Sequence, residues 1–100
     1  MAGGKLSIIA KEENFGERSY TSARIRSIHK GEWTYGRFEA SIKLPKGQGI
    51  WPAFWMLPTD QDYGFWPQSG EIDIMEYLGH QTNRAHGTIH YGPPLSLIHI

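Results

Sequence analysis

Polar and hydrophobic positions alternate most cleanly between Trp33 and Leu44. Phe38, Ala40, Ile42 and Leu44 take one side, and Arg37, Glu39, Ser41 and Lys43 take the other. A period of two predicts a β-strand with one covered face. Pro45-Lys46-Gly47-Gln48-Gly49 ends it sharply. Before it, Lys5 to Ala10 (KLSIIA) reads as a short strand and the polar run Lys11 to Arg18, with Gly16, as a loop. Tyr20 to His29 alternates weakly, with Tyr20, Ser22, Arg24 and Arg26 on one face, and Lys30-Gly31 is a turn. Beyond the break, Ile50 to Leu57 is an apolar strand with Trp51 and Trp55 on the same side, made irregular or an edge by Pro52. Pro58 to Ser69, rich in Asp, Gly and Pro, is a loop that carries Trp66. Gly79 to Asn83 is a turn, and Arg84 to Tyr91 a last strand with His86, Thr88 and His90 on one face. Short strands separated by turn signals, with no persuasive helix and no repeat, predict an all-β antiparallel sandwich.

One stretch breaks its own pattern. In Gly70-Glu71-Ile72-Asp73-Ile74-Met75-Glu76, three carboxylates fall within six residues, interleaved with apolar side chains. A plain strand would put Glu71, Asp73 and Met75 on one face and leave Glu76 among the aliphatics, where an unpaired carboxylate is costly. One extra residue near Ile74-Met75, a β-bulge, re-phases the strand so that Glu71, Asp73 and Glu76 share a face. Glu71 and Glu76 are then about 13 Å apart at Cα. Side chains leaning together can close the carboxyl gap to ~5 Å or leave it near ~7 Å, so spacing alone does not separate a retaining from an inverting glycosidase pair. Three neighbouring acids cannot all ionise freely, so at least one pKa is expected to rise. The plain alternative is a surface strand whose acids are merely solvated.

Composition narrows the chemistry. The chain has 100 residues, 39% hydrophobic and 13% aromatic with four Trp, and its net charge is zero. From Gly47 to Asn83 there is no Lys or Arg, yet Asp60, Asp62, Glu71, Asp73 and Glu76 all lie there. An acidic, aromatic segment argues against a nucleic-acid partner and suits a neutral polyol. There is no Cys, hence neither a disulfide framework nor a thiolate metal site. No apolar run is long enough to span a membrane, and the N-terminus shows no signal-peptide core.

The acidic stretch and its flanks resemble glycoside hydrolase family 16, in its laminarinase-like endo-β-1,3-glucanase branch. The resemblance is carried by YTSARI (Tyr20–Ile25), YGRFEASIKLPKGQGIWPAFWMLP (Tyr35–Pro58), WPQSGEIDIMEYLG (Trp66–Gly79) and HGTIHY (His86–Tyr91), in the family's order. It implies a concanavalin A-like β-jelly-roll sandwich with a sugar cleft on its concave face, and a retaining double displacement. By the motif Glu71 is the nucleophile, Glu76 the general acid/base, and Asp73 the helper that holds and tunes Glu71. Two anionic neighbours are expected to keep Glu76 protonated at the start. The ExDxxE spacing is the laminarinase form, ExDxE being typical of lichenases and xyloglucan enzymes. Other family activities (mixed-linkage glucanase, agarase, carrageenase) stay open. A non-catalytic β-glucan-binding module ranks below, because such proteins lose the acids.

Trp51 and Trp66 resemble cleft tryptophans that stack on sugar rings, with core packing as the alternative. Trp55 is undecided, and Trp33 and His86 are read as structural. Arg24 resembles an arginine that binds sugar hydroxyls, with a surface salt bridge as the alternative; His90 bonds a sugar or Asp73, or is an ordinary sheet-face histidine. No HExxH-type spacing exists, so no cofactor and no catalytic metal is expected, although the family often carries a structural calcium remote from the cleft. The implied partner is a polysaccharide, with no nucleic acid and no membrane. At full length the resemblance implies a monomer that is secreted or in the cell envelope. A sandwich of this class runs to ~200–250 residues. Residues 1–94 are therefore read as a partial catalytic domain and 95–100 (LSLIHI) as a non-native or truncation tail. The 100-residue chain by itself is expected to be unstable or to aggregate, and to be poorly active.

Overall fold

A computed structural model describes residues 2–93 and the backbone of 97–99. Among the described residues it contains six strands and no helix. The chain divides into two compact units, Met1–Glu32 and Trp33–Ile100.

The first unit is built on a hairpin. β1 (Lys11–Phe15) pairs antiparallel with β2 (Arg18–Thr21), in the register Lys11↔Thr21, Glu12↔Tyr20 and Phe15↔Arg18. Gly16 turns the chain at φ 57°, a left-handed conformation that costs glycine least. The Thr21 hydroxyl donates across the pair to Glu13. This corrects two sequence expectations. The polar run Lys11 to Arg18 is hairpin rather than loop, because a tight glycine turn aligns the flanking backbones whatever their side chains. The apolar Lys5 to Ala10 run is not a strand: it makes one isolated bridge, Ala2↔Lys5, and Leu6, Ile8 and Ile9 are exposed. Tyr20 to His29 is strand only as far as Thr21.

The second unit holds an antiparallel sheet. β3 (Ala53–Met56), β4 (Glu71–Glu76), β5 (His86–His90) and β6 (Leu97–His99) lie side by side in chain order. Pro52, which has no N–H to give to a ladder, immediately precedes β3. Backbone bonds continue past both strand ends: Tyr77 donates to Pro52, Gly79 to Ile50 and Gly47 to Gly79, at 3.1, 2.8 and 3.1 Å. A Cβ on residue 79 would sit 2.3 Å from the Gly47 carbonyl oxygen, so only glycine lets the two backbones run this close. The suspected tail 95–100 lies in part outside the described residues; its residues 97–99 form β6.

The cleanest alternation is not a strand. Residues 33–46 make no ladder bonds among the described residues. Phe38 and Leu44 are half-buried, while Ala40 and Ile42 are exposed. Trp33 packs edge-on against Phe38, ring centroids 5.6 Å apart, and Arg37 pairs with Glu39 at the surface. Alternation reports which side chains seek cover; a ladder also needs a neighbouring backbone.

Candidate active site

The register of β4 shows how the acids come together. Against β3, Ala53 faces Glu76 and Phe54 faces Met75, but Trp55 faces Asp73. Against β5, Glu71 faces His90, Asp73 faces Thr88 and Glu76 faces His86. Ile74 and Met75 thus occupy the space of one partner residue, Gly87, which is a β-bulge at the position read from the sequence. Residues opposite one another share a face, and on β5 His86, Thr88 and His90 are spaced by two. Glu71, Asp73 and Glu76 therefore lie on one face of the sheet. Ile72, Met75, Phe54 and Ile89 take the other.

Each acid has its own donor. The Trp66 indole N–H donates to Glu71 Oε2 at 2.7 Å. The Trp51 indole N–H donates to Glu76 Oε1 at 3.2 Å. His90 Nε2 lies 2.8 Å from Asp73 Oδ2, and Asp73 is 3% exposed. The Nδ1 atom of His90 is buried with no partner among the described residues, so a proton on Nε2, aimed at Asp73, leaves no buried N–H orphaned. Trp66 also tilts over His90, with ring centroids 5.5 Å apart. Beside Glu71, a cleft of about 360 Å³ is lined by Trp55, Leu57, Pro58, Gln61 and Trp66. That is the size of a small ligand site, ~300–1,000 Å³.

The electrostatics place the crowding on Glu71. Its pKa is raised above the usual 4.5, chiefly by burial, then by its hydrogen bond with Asp73 and by the Asp73 charge; the Trp66 N–H and His90 pull it back down. The sequence reading put the extra proton on Glu76. Burial and the direct hydrogen bond to Asp73 are contributions that a count of neighbouring charges does not register.

Of the residues singled out from the sequence, the structure brings together Glu71, Asp73, Glu76, Trp51, Trp66 and His90. Arg24 belongs to the first unit, where it is exposed. Trp51 and Trp66 are 66% and 56% exposed within this span of chain. Their indole bonds to the carboxylates went unforeseen: the type and position of the residues suggested a flat stacking face, but nothing in the sequence aims an N–H. Glu71, Asp73 and His90 each bring one potential ligand atom within 4.8 Å of the others, close enough to share one cation. Among the described residues no second set of three such side chains exists that could serve a remote calcium.

The family model of Glycosyl hydrolases family 16 matches residues 2–93. The chain belongs to glycosyl hydrolases family 16. It is 52% identical over 92 residues to the Beta-glucanase of Rhodothermus marinus, a match covering 90% of this chain and 32% of that protein. The Glucan endo-1,3-beta-glucosidase of Cryptopygus antarcticus is 47% identical over 94 residues, covering 89% and 34%. The X-ray structure of the laminarinase from Rhodothermus marinus superposes with a TM-score of 0.80 at 52% identity, over 84% of this chain and 35% of that one. The family 16 chain described here thus spans about a third of the length of the relatives it matches, and its antiparallel sheet is part of an all-β jelly roll.

Proposed function

We propose that the protein is a retaining endo-glycosidase that hydrolyses a laminarin-type β-1,3-glucan. One observation carries this: the bulged strand β4 sets three acids on one sheet face, and an indole N–H anchors each of the two that would react. Relatives named Beta-glucanase and Glucan endo-1,3-beta-glucosidase support the choice of substrate.

In this reading Glu71 attacks the anomeric carbon while Glu76 protonates the leaving glycosidic oxygen, giving a covalent glycosyl ester. Glu76, now a carboxylate, takes a proton from water as that water attacks the anomeric carbon and the ester bond to Glu71 breaks. A sugar hydroxyl in place of water gives transglycosylation. Burial and the neighbouring Asp73 hold the Glu71 pKa up, while the Trp66 N–H and His90 favour its charged, attacking form. The reaction needs no cofactor. A polymeric substrate that cannot cross a bilayer places the enzyme outside the cell or in its envelope, and the whole protein works as a monomer.

The test is reducing-sugar release from laminarin by the whole protein, wild type against Glu71→Gln. Hydrolysis by the wild type and none by the variant is expected, with the β-anomer formed first by NMR. Equal activity of the two would remove Glu71 from the reaction, and no release from laminarin with release from a mixed-linkage glucan would move the substrate assignment. Binding without hydrolysis by the wild type would favour a glucan-recognition module.

A further inference from the structure

β5 offers three side chains to the acid face, and the mechanism above uses only His90. In the register, His86 stands directly opposite Glu76. Cross-strand partners on one face have Cβ atoms about 4.5–5.5 Å apart, within reach of an imidazole and a carboxylate. The Nε2 atom of His86 is buried and has no hydrogen-bond partner among the described residues. A buried, unpartnered polar atom calls for a role, because leaving it so costs stability. Glu76 itself accepts one hydrogen bond among the described residues, the 3.2 Å contact from Trp51 to Oε1.

We propose that His86 is a positioning residue for Glu76. With its proton on Nε2, the ring donates to the second carboxylate oxygen once Glu76 has lost its own proton to the leaving group. The bond then forms at the stage where it helps most, holding the carboxylate while it accepts a proton from the attacking water. His86 keeps its proton throughout. In the first half, the proton of Glu76 goes to the glycosidic oxygen as that bond breaks. In the second, the water proton goes to Glu76 as the C–O bond forms and the ester to Glu71 opens. Trp51 holds one oxygen of Glu76 from the β3 side and His86 the other from the β5 side.

This inference rests on Glu76 being the acid/base, and its test separates the two. In the whole protein, His86→Phe keeps a ring without the donor, and His86→Gln keeps an N–H donor. His86→Phe is expected to lower kcat about tenfold, the loss of one hydrogen bond to a charged group, with KM within about twofold. Gln is expected to recover most of the loss. Independently of any substrate, at a pH high enough to keep Glu76 a carboxylate, the ¹⁵N shift of His86 Nε2 is expected to move in Glu76→Gln and to stay in place in Glu71→Gln. That readout uses variants that leave His86 intact, so it stands even if His86→Phe fails to fold or the protein cleaves no β-1,3-glucan. An unmoved His86 shift in Glu76→Gln overturns the proposal. So does a kcat loss that is the same for Gln and Phe.

Discussion

The two faces of the four-stranded sheet differ in how far this span of chain covers them. On the acid face Asp73 and Thr88 are each 3% exposed. On the opposite face, built from the apolar members of the same strands, Ile72 is 48% and Ile89 36% exposed. A strand normally hides its aliphatics and shows its polar residues. The acid face instead withdraws a carboxylate and a hydroxyl from water, and Asp73 has His90 as its partner. The chain spans about a third of its relatives' length, so the exposure of the aliphatics is that of this span alone. The acid face is ordered within the span, by the hydrogen bonds of Trp51, Trp66 and His90.

The sharpest way to break that contrast is to remove the carboxylate proposed to attack. Glu71→Gln keeps the size and the Trp66 contact but cannot attack, and kcat on laminarin is expected to fall on the order of 10³-fold or more in the whole protein. Circular dichroism would check that the fold survives.

Next comes the bulge. Deleting Ile74 turns the stretch into Glu-Ile-Asp-Met-Glu, a regular strand in which the three acids still alternate onto one face. Activity is expected to fall by about 10²-fold or less, the cost of roughly 1 Å of misplacement. A loss as deep as that of Glu71→Gln would mean that the bulge does more than re-phase the strand.

A smaller effect isolates the indole bond. Trp66→Phe keeps an aromatic face and loses the N–H that lowers the Glu71 pKa. About a tenfold drop in kcat is expected, and the acidic limb of the rate profile is expected to move to higher pH. An unchanged limb would reduce Trp66 to a stacking platform.

The smallest effect is on stability. The folded-state pKa of Glu71 lies above its unfolded value, so the native state binds its proton more tightly than the unfolded chain does. The stability this contributes is fully present below the unfolded pKa of about 4.5 and is lost as pH rises through the folded value. Glu71→Gln, always neutral, is therefore expected to melt above wild type at pH 7, and the gap is expected to close towards pH 4. Thermal scans at both values would show it, and a gap that widens on acidification would reverse the sign.

The sequence made β4 legible because its pattern contradicted itself. Three acids and three aliphatics cannot be sorted by a period of two, and one inserted residue sorts them. His90 was legible by its face and with Asp73 among its candidate partners, and the structure pairs the two. Trp33 to Leu44 misled because alternation is a statement about side chains, and no described backbone lies alongside to turn it into a strand. The β1–β2 hairpin was hidden for the converse reason. Lys-Glu-Glu-Asn-Phe has no apolar face to signal a strand, and its pairing comes from a glycine turn. The proton was assigned to Glu76 by counting charges. The structure raises the pKa of Glu71, through burial and a direct hydrogen bond to Asp73 that a count of charges along the chain does not register.

The central claim, that Glu71 is the nucleophile of a bulge-built site, is tested most directly by trapping the intermediate. The whole protein would be treated with a 2-deoxy-2-fluoro β-1,3-linked disaccharide carrying a fluoride leaving group. The fluorine at C2 slows both steps, and the good leaving group favours formation of the ester. Peptide mass spectrometry is predicted to find one glycosyl adduct, on Glu71. An adduct on Glu76, or turnover of the reagent with inverted product and no adduct at all, would contradict it.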